Sequence, residues 1–580
     1  MEIHNEGWLL STPPPTLSMQ PFATLLLLAI VSCCVIATSA DTFHGYRSIH
    51  YKVGKSKFGP ESAALNGLLV DGALGVDGVA LYSLEDILNY TSRAEIESII
   101  SSPNDVIISM PPSLVLEELS KSARGNVQLL EQLLVSRSVS KAIYFVLESA
   151  ELQHTRETIA ERGNNFFSSL WQDQFRVLTE GTNDQVSLVK DPKFRNLNAW
   201  LFGGESTDLL PVAIISASYD TLQVPVGMPV DVDEARTGVV VLLEIMRQLS
   251  NIYASDEIHP TFNLLFVLTG GEKLGSVGLP AVLDDLPTAV LEKVEFALHI
   301  DAISEVNHLQ LDYATIGAEG AGNIARQQAE SMAEAAQRAG VTLHLTDMSD
   351  FASERYADPY HEDESGGEAG GGIYPVFDSP LDVYLSRRIP VLHLHSQNPT
   401  GGEQEIAAIG SSLWRPAHLI RRKSSPSTDD LQTHALWLAA GLVQSLFPVG
   451  ADMQLLQRAV IVEGRNDLID AWMDVCLGWT RAPLNAERSR DYWKALERIM
   501  SSYADRVESA LVRLNTVSGL KLYDHDSATI SVLRTKSAMF DLALLAGVIA
   551  YLLGLMVFLN GWDSLLRLLR LETFTKVKRA

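Results

Sequence analysis

The chain has 580 residues, 46% of them hydrophobic and 20% charged, with 45 Lys and Arg against 71 Asp and Glu for a formal net charge of -26. A chain of this length and make-up spans more than one typical domain and can bury a large core. Its acidic balance excludes the clustered Lys and Arg that a phosphate backbone requires, so no nucleic acid contact is expected.

The first apolar stretch covers residues 22–37 and is followed by Thr38-Ser39-Ala40, small residues like those of a signal-peptidase site. A signal peptide over residues 1–40 is the expectation. Residues 1–20 carry Glu2 and Glu6 but no Lys or Arg, which leaves an uncleaved N-terminal anchor open as the alternative. Cys33 and Cys34 fall in this segment, so a processed chain keeps only Cys476 and forms no internal disulfide, although an oxidising compartment would permit one.

Residues 41–200 mix short apolar runs, at 106–108 and 142–147, with helical spacing around 114–134. They read as a smaller α/β lobe. This lobe contains the sequon Asn89-Tyr90-Thr91, a candidate glycosylation site, whereas proline disqualifies Asn398-Pro399-Thr400. Over residues 201–448, apolar runs bounded by turns alternate with longer amphipathic stretches, the pattern of a sheet with covering helices. Strands are predicted at 212–217, 263–268, 296–300 and 391–395, and a helix buried on all sides at 238–249. The acidic, Gly-rich stretch 361–372 is predicted to be a loop.

Residues 449–536 have helical spacing throughout, with Trp472, Trp479, Trp493, Leu511 and Leu514 as packing residues rather than a cofactor box, and predict a helical membrane-proximal stalk. A transmembrane helix follows at 537–560: its uncharged part, 542–559, is ~27 Å long as a helix, enough for the hydrocarbon core. The tail, 561–580, has Arg567, Arg570, Lys576, Lys578 and Arg579 against Asp563 and Glu572. Such an excess marks the cytosolic side, which makes the chain single-pass type I with its body lumenal or extracellular. Lys576 and Lys578 near the C-terminus match Lys-x-Lys-x-x, which resembles the dilysine retrieval signal of the endoplasmic reticulum. A merely basic flank is the plain alternative.

There is no internal repeat, Walker loop, Gly-x-Ser-x-Gly elbow or His-Glu-x-x-His helix. Acidic residues do gather where open α/β sheets place ligands, at the carboxyl ends of strands. Ser218-Tyr219-Asp220 ends one predicted strand, Asp231-Val232-Asp233-Glu234 opens the buried helix, Gly270-Gly271-Glu272-Lys273 ends the next strand, and Asp301 ends another. Each alone reads as a cap or turn; together they make a candidate site.

The order Ser-Tyr-Asp, Asp-x-x-x-Thr-Gly-Val-Val-Val-Leu-Leu-Glu, Gly-Glu-Lys-Leu-Gly-Ser-Val-Gly and His-Ile-Asp resembles the M28 zinc aminopeptidases, and within them the nicalin family, relatives of nicastrin. The likeness covers the whole chain and is closest at 209–279 and 535–551. It implies an M28 peptidase-like, mostly parallel sheet flanked by helices. It also implies a subunit of an endoplasmic reticulum membrane complex with the nodal modulator protein and a small multi-pass membrane protein. That complex joins the Sec61 translocon during synthesis of multi-pass proteins and is linked to Nodal signalling and receptor assembly.

Position by position, the resemblance puts Asp233 at the bridging zinc carboxylate, Asp301 at a terminal one and Asp220 two residues after the first ligand. It puts Ser218 at the first His position, Glu272 at the general base and Lys273 at a terminal Glu. Ser425 falls at the last His position if Asp429 matches the acidic residue that follows it. A hydroxyl is a poor zinc ligand and an ammonium beside two divalent ions is repelled, so neither metal, cofactor nor catalysis is expected. Lys273 is expected instead to lie as a cation between Asp233 and Asp301. His393 and His395 alternate on a predicted strand and share a face; with His299 they are candidates for a relocated metal site, against the plainer reading of packed strand histidines. Three functional readings remain: a scaffold subunit, a lumenal metallo-aminopeptidase with an altered metal site, and a nicastrin-like receptor for substrate N-termini.

Overall fold

The computed structural model describes residues 40–560 apart from internal stretches, the longest being 164–173, 357–378, 397–426, 448–465 and 478–489. All but the last residue of the expected signal peptide lies outside the described residues, as do the 361–372 stretch, Asp220, Lys273, Ser425 and the tail with Lys576 and Lys578. The chain divides into two units, one of residues 43–164 and 177–530, the other of 1–42, 165–176 and 531–580.

In the N-terminal part, strands β1 (Ala40–Arg47), β2 (Tyr51–Val53), β3 (Ser56–Pro60), β4 (Asn66–Asp71) and β5 (Val79–Ser83) precede helix α1 (Arg93–Ser101) and β6 (Asp105–Met110). Then come α2 (Lys121–Ser136), β7 (Ser138–Val139), β8 (Ile143–Leu147) and β9 (Gln174–Glu180). Strands β4, β5, β6 and β8 pair in parallel, and β1 runs antiparallel to β8 with Gly45 opposite Val146. The near-continuous apolar runs of β5, β6 and β8 suit strands covered on both faces. Ile96, Ile99, Val106, Ile108, Leu130, Leu134 and Phe145 pack there with almost no exposure. Helix α1 starts at Ser92 because a capping box with Glu95 satisfies its first amides.

The second part comprises β10 (Lys193–Leu201), β11 (Val212–Ser218), α3 (Asp233–Tyr253), β12 (Asn263–Thr269), α4 (Gly278–Asp285), β13 (Val294–Ile300) and β14 (Leu309–Ala314). It continues with α5 (Ile324–Arg338), β15 (Leu343–Asp347), α6 (Ser349–Tyr356), α7 (Pro380–Ser386), β16 (Val391–Ser396) and α8 (Thr428–Leu446). Last come α9 (Asn466–Leu477), α10 (Arg490–Ser501), β17 (Arg506–Arg513), β18 (Leu520–Leu522), β19 (Ser527–Thr535) and α11 (Ala538–Asn560). The described residues build an eight-stranded sheet in the order β15-β14-β16-β13-β11-β12-β10-β17. Its centre, β12-β11-β13-β16, is parallel, and helices cover both faces, so the α/β class stands as expected. All four predicted strands form.

Helix α3 contains the predicted buried helix. Val239 to Leu243, Ile245, Met246, Leu249 and Ile252 are essentially unexposed, and each such side chain is worth ~1.5–3 kcal/mol over leaving it in water. That burial outweighs the modest helix propensity of its three consecutive valines. The helix also buries an ion pair, Glu244 with Arg247, whose Nε lies 2.8 Å from the carboxylate.

Two expectations are corrected. The expected helical stalk over 449–536 holds strands as well as helices among its described residues: β17 is the edge of the large sheet, paired antiparallel with β10 from Lys193↔Arg513 to Trp200↔Arg506, and β18 pairs with β2 in a four-stranded sheet β18-β2-β3-β7. Arg506–Arg513 is short and mostly exposed on one edge, so its charged residues mimic a solvated helix face while the backbone is held by β10. The boundary at 200 also shifts, since β10 belongs to the large sheet.

Helix α11 carries the apolar span Leu542–Leu559, with mean hydropathy 2.6. Leu545, Leu552, Phe558 and Leu559 stand exposed. A helix apolar on all sides suits a lipid surround.

Candidate functional site

The carboxyl ends of β11, β12 and β13 meet where strand order reverses, with β12 on one side of β11 and β13 on the other. Ligands of open α/β sheets bind at such switch points. Ser218 ends β11, Glu272 follows β12 and Asp301 follows β13, all three buried. The sequence motifs around them are largely devices of close packing. The Tyr219 hydroxyl donates to the Arg195 carbonyl (2.8 Å) and so ties the end of β11 to β10. Its ring stands where a Cβ on Gly270 would lie, 2.0 Å from the hydroxyl. Thr237 accepts the Ile303 amide (2.7 Å) and locks the start of α3 onto the loop after β13.

Around these ends the register assembles a row of polar side chains. Ser216, His299 and His393 align across β11, β13 and β16, and Asp312 of β14 lies directly opposite His393, with Thr346 of β15 next beyond. The Tyr384 hydroxyl, from α7, donates to Ser216 Oγ (2.8 Å), which lies 3.0 Å from His299 Nδ1. His299 Nε2 is 3.1 Å from Glu272 Oε2. With Ser216 donating to Nδ1, the hydrogen bonds run from Tyr384 through Ser216 to His299, and Glu272 lies close to the far side of the ring without an aligned hydrogen bond to it. Burial raises the Tyr384 hydroxyl well above its ordinary range, so it stays a donor.

The row continues as carboxylate and imidazole. His393 Nε2 is 3.8 Å from Asp301 Oδ2, and His395 Nε2 is 2.9 Å from Asp312 Oδ2. The His299 and His393 rings are 5.4 Å apart, those of His393 and His395 5.1 Å. Gln310 Nε2 donates to Asp312 Oδ1 (2.7 Å) and to Thr346 Oγ1 (3.2 Å). Burial alone would raise the Asp312 carboxyl, but the hydrogen bond and charge of His395, with His393 behind it, outweigh burial and hold it at about 2.

Of the seven positions expected at a vestigial zinc site, the described side chains are Ser218, Glu272 and Asp301. Asp233 opens α3, and its side chain, like Asp220, Lys273 and Ser425, lies outside the described residues. Of these three, Ser218 offers a neutral hydroxyl, a poor zinc ligand, Glu272 lies beside His299 and Asp301 beside His393. Sequence reasoning brought forward His299, His393 and His395 but missed Asp312 and the strand bearing it. The alternation Leu309-Gln310-Leu311-Asp312-Tyr313 was the available signal.

Elsewhere, Asn89 is exposed just past a short helix, its side-chain amide donating to the Glu85 carbonyl (3.0 Å).

No family model matches the chain. It is 23% identical over 575 residues to the BOS complex subunit ncln of Danio rerio, covering 96% of each chain. To the BOS complex subunit NCLN of Rattus norvegicus it is 23% identical over 552 residues, 92% of this chain and 91% of the relative. The Homo sapiens protein of that name is 22% identical over 549 residues, again 92% and 91%. Among solved structures, the gamma-secretase component nicastrin matches with a TM-score of 0.49 and 10% identity, over 85% of this chain and 99% of that one. A zinc aminopeptidase from Bacillus subtilis, BSAP, matches with a TM-score of 0.33 and 14% identity, over 76% and 91%. By sequence, over more than nine-tenths of its length, the chain is similar to proteins named as BOS complex subunits of the nicalin type.

Proposed function

We propose that this chain is a non-catalytic subunit of an endoplasmic reticulum membrane complex, with residues 41–536 in the lumen, residues 537–560 across the bilayer and the basic tail in the cytosol. The observation that carries this reading is correspondence along almost the whole length of relatives named as BOS complex subunits. A shared peptidase-like domain alone would match only part of them. The partners we expect are the nodal modulator protein, a small multi-pass membrane protein and the Sec61 translocon, in the synthesis of multi-pass proteins.

The rival is a lumenal aminopeptidase, favoured by the retained Glu272 and Asp301 in a buried site at the switch point. Against it stands Ser218 at the first ligand position, which leaves the pair of metals without an imidazole there. Crosslinking and mass spectrometry of the full chain in microsomes tests the complex, and recovery of neither Sec61 nor nodal modulator peptides with controls intact would sink it. Turnover of aminoacyl substrates by the purified full chain, lost in Asp233→Ala, would establish the rival instead. For location, changing Lys576 and Lys578 together to Ser is expected to release protein to the Golgi; full retention would assign retention to partner binding.

A further inference from the structure

We propose that Asp312, His393 and His395 form a site for one divalent transition-metal ion, zinc by its donor set, that fastens β14 to β16. Their donor atoms all lie within 4.8 Å of one another. The two histidines stand on one face of β16, and the carboxylate comes from the neighbouring strand, directly opposite His393. A sheet holds such a set more rigidly than loops do.

His395 carries the argument. Its Nδ1 lies 3.0 Å from the Ser396 carbonyl oxygen, which can only accept, so Nδ1 bears a hydrogen. In a neutral ring Nε2 then holds a lone pair, yet it faces Asp312 Oδ2 at 2.9 Å. Two lone pairs at that distance repel, and either a second proton or a metal must stand between them. A proton would serve the His395–Asp312 pair alone, with His393 facing Asp301 at 3.8 Å. A metal uses all three donors. Imidazole–carboxylate sets of this kind suit zinc, whose ligands at ~2.0–2.2 Å lie ~3.4 Å from one another in tetrahedral geometry. That spacing falls between the 2.9 Å pair and the 4.8 Å limit of the set, so side-chain rotations of about an ångström or less would seat the ion.

The surroundings are those a metal ligand keeps. The Ser396 carbonyl fixes the His395 tautomer, and Gln310 holds the second oxygen of Asp312 at 2.7 Å. Asp312 and His393 are buried, while His395 is 15% exposed, which gives the ion an entry path and room for water as a fourth ligand. The site adjoins the peptidase-like arrangement, with His393 Nε2 3.8 Å from Asp301 Oδ2, but its donor set includes neither Ser218 nor Asp301, and its metal would be structural.

The test is metal binding by the full-length chain in detergent, with zinc alone as ligand, followed by calorimetric titration and by the visible spectrum after cobalt substitution. About one zinc per chain is expected, with affinity reduced about tenfold or more in His395→Gln and in Asp312→Asn and unchanged in Ser218→Ala. Zinc should also protect His393 and His395 of the unsubstituted chain from diethylpyrocarbonate, a measurement that survives misfolding of any variant. No stoichiometric zinc in the unsubstituted chain would overturn the proposal and make His395 an imidazolium paired with Asp312. Zinc kept by His395→Gln but lost in Asp301→Asn would also overturn it, moving the ion to the ancestral position.

Discussion

Gly238 sits where α3 crosses the end of β13, and a Cβ there would stand 2.7 Å from the Asp301 carbonyl oxygen and 2.9 Å from that of Ile300. Both neighbours are backbone, so neither can swing away. Gly238→Ala is expected to destabilise the large unit by ~1–3 kcal/mol, the usual cost of overpacking, read as a lower melting temperature; an unchanged one would refute the close approach. In the sequence, Lys273 directly follows Glu272, which is buried. If its ammonium offsets Asp233 and Asp301, Lys273→Met destabilises the fold by up to ~3–5 kcal/mol for a dry pair and less for a wet one, read as a lower melting temperature. Lys273→Glu, which adds a third carboxylate, should lower it further and restore no activity. Equal melting temperatures for all three proteins would show that Lys273 extends into solvent.

At the level of elements, β17 is the part that most alters where the folded body ends. Trp200, Ala199 and Leu197 of β10 pair with it, and losing it would open a long edge of the sheet to water or to other chains. A chain cut after residue 448, at the expected domain boundary, should therefore fail to unfold cooperatively in urea, while one kept through 536 should succeed. A sharp transition in the shorter chain would restore the stalk as a separate part. Helix α8 supplies a pH dependence. His434 is completely buried, and its Nδ1 accepts the Trp437 indole N–H at 3.1 Å, which requires the neutral ring. Burial pushes its pKa down to about 4, opposed by Asp430. The unfolded chain, near 6.5, takes up this proton first, so stability is full above 6.5 and falls as pH drops towards 4. The loss is on the order of 3 kcal/mol at 1.36 kcal/mol per unit. His434→Gln should flatten that fall; an unaltered acid limb in denaturant titrations would rule it out.

For the whole molecule, the decisive property is orientation. Asn89 lies exposed on the large unit and the apolar helix α11 follows that unit in the chain, so a lumenal body and a glycan on Asn89 stand together. In microsomes the chain is expected to show one endoglycosidase-sensitive shift, abolished by Asn89→Gln, with the body protected from added protease and the tail digested. Digestion of the body from outside would reverse the topology.

What the sequence determined by itself was local. Continuous apolar runs gave strands β11, β12, β13 and β16, all-round apolarity gave helix α3, and eighteen uncharged residues gave the span Leu542–Leu559, because each signal is a periodicity within one segment. Even the shared face of His393 and His395 follows from alternation along one strand. Tertiary structure alone decided that β17 pairs with β10, more than 300 positions earlier, and that Ser216, His299, His393, Asp312 and Thr346 fall into one row. Register between strands so distant is set by the packing of both sheet faces and by the backbone ladder, and a one-residue slip would turn every one of these side chains to the opposite face.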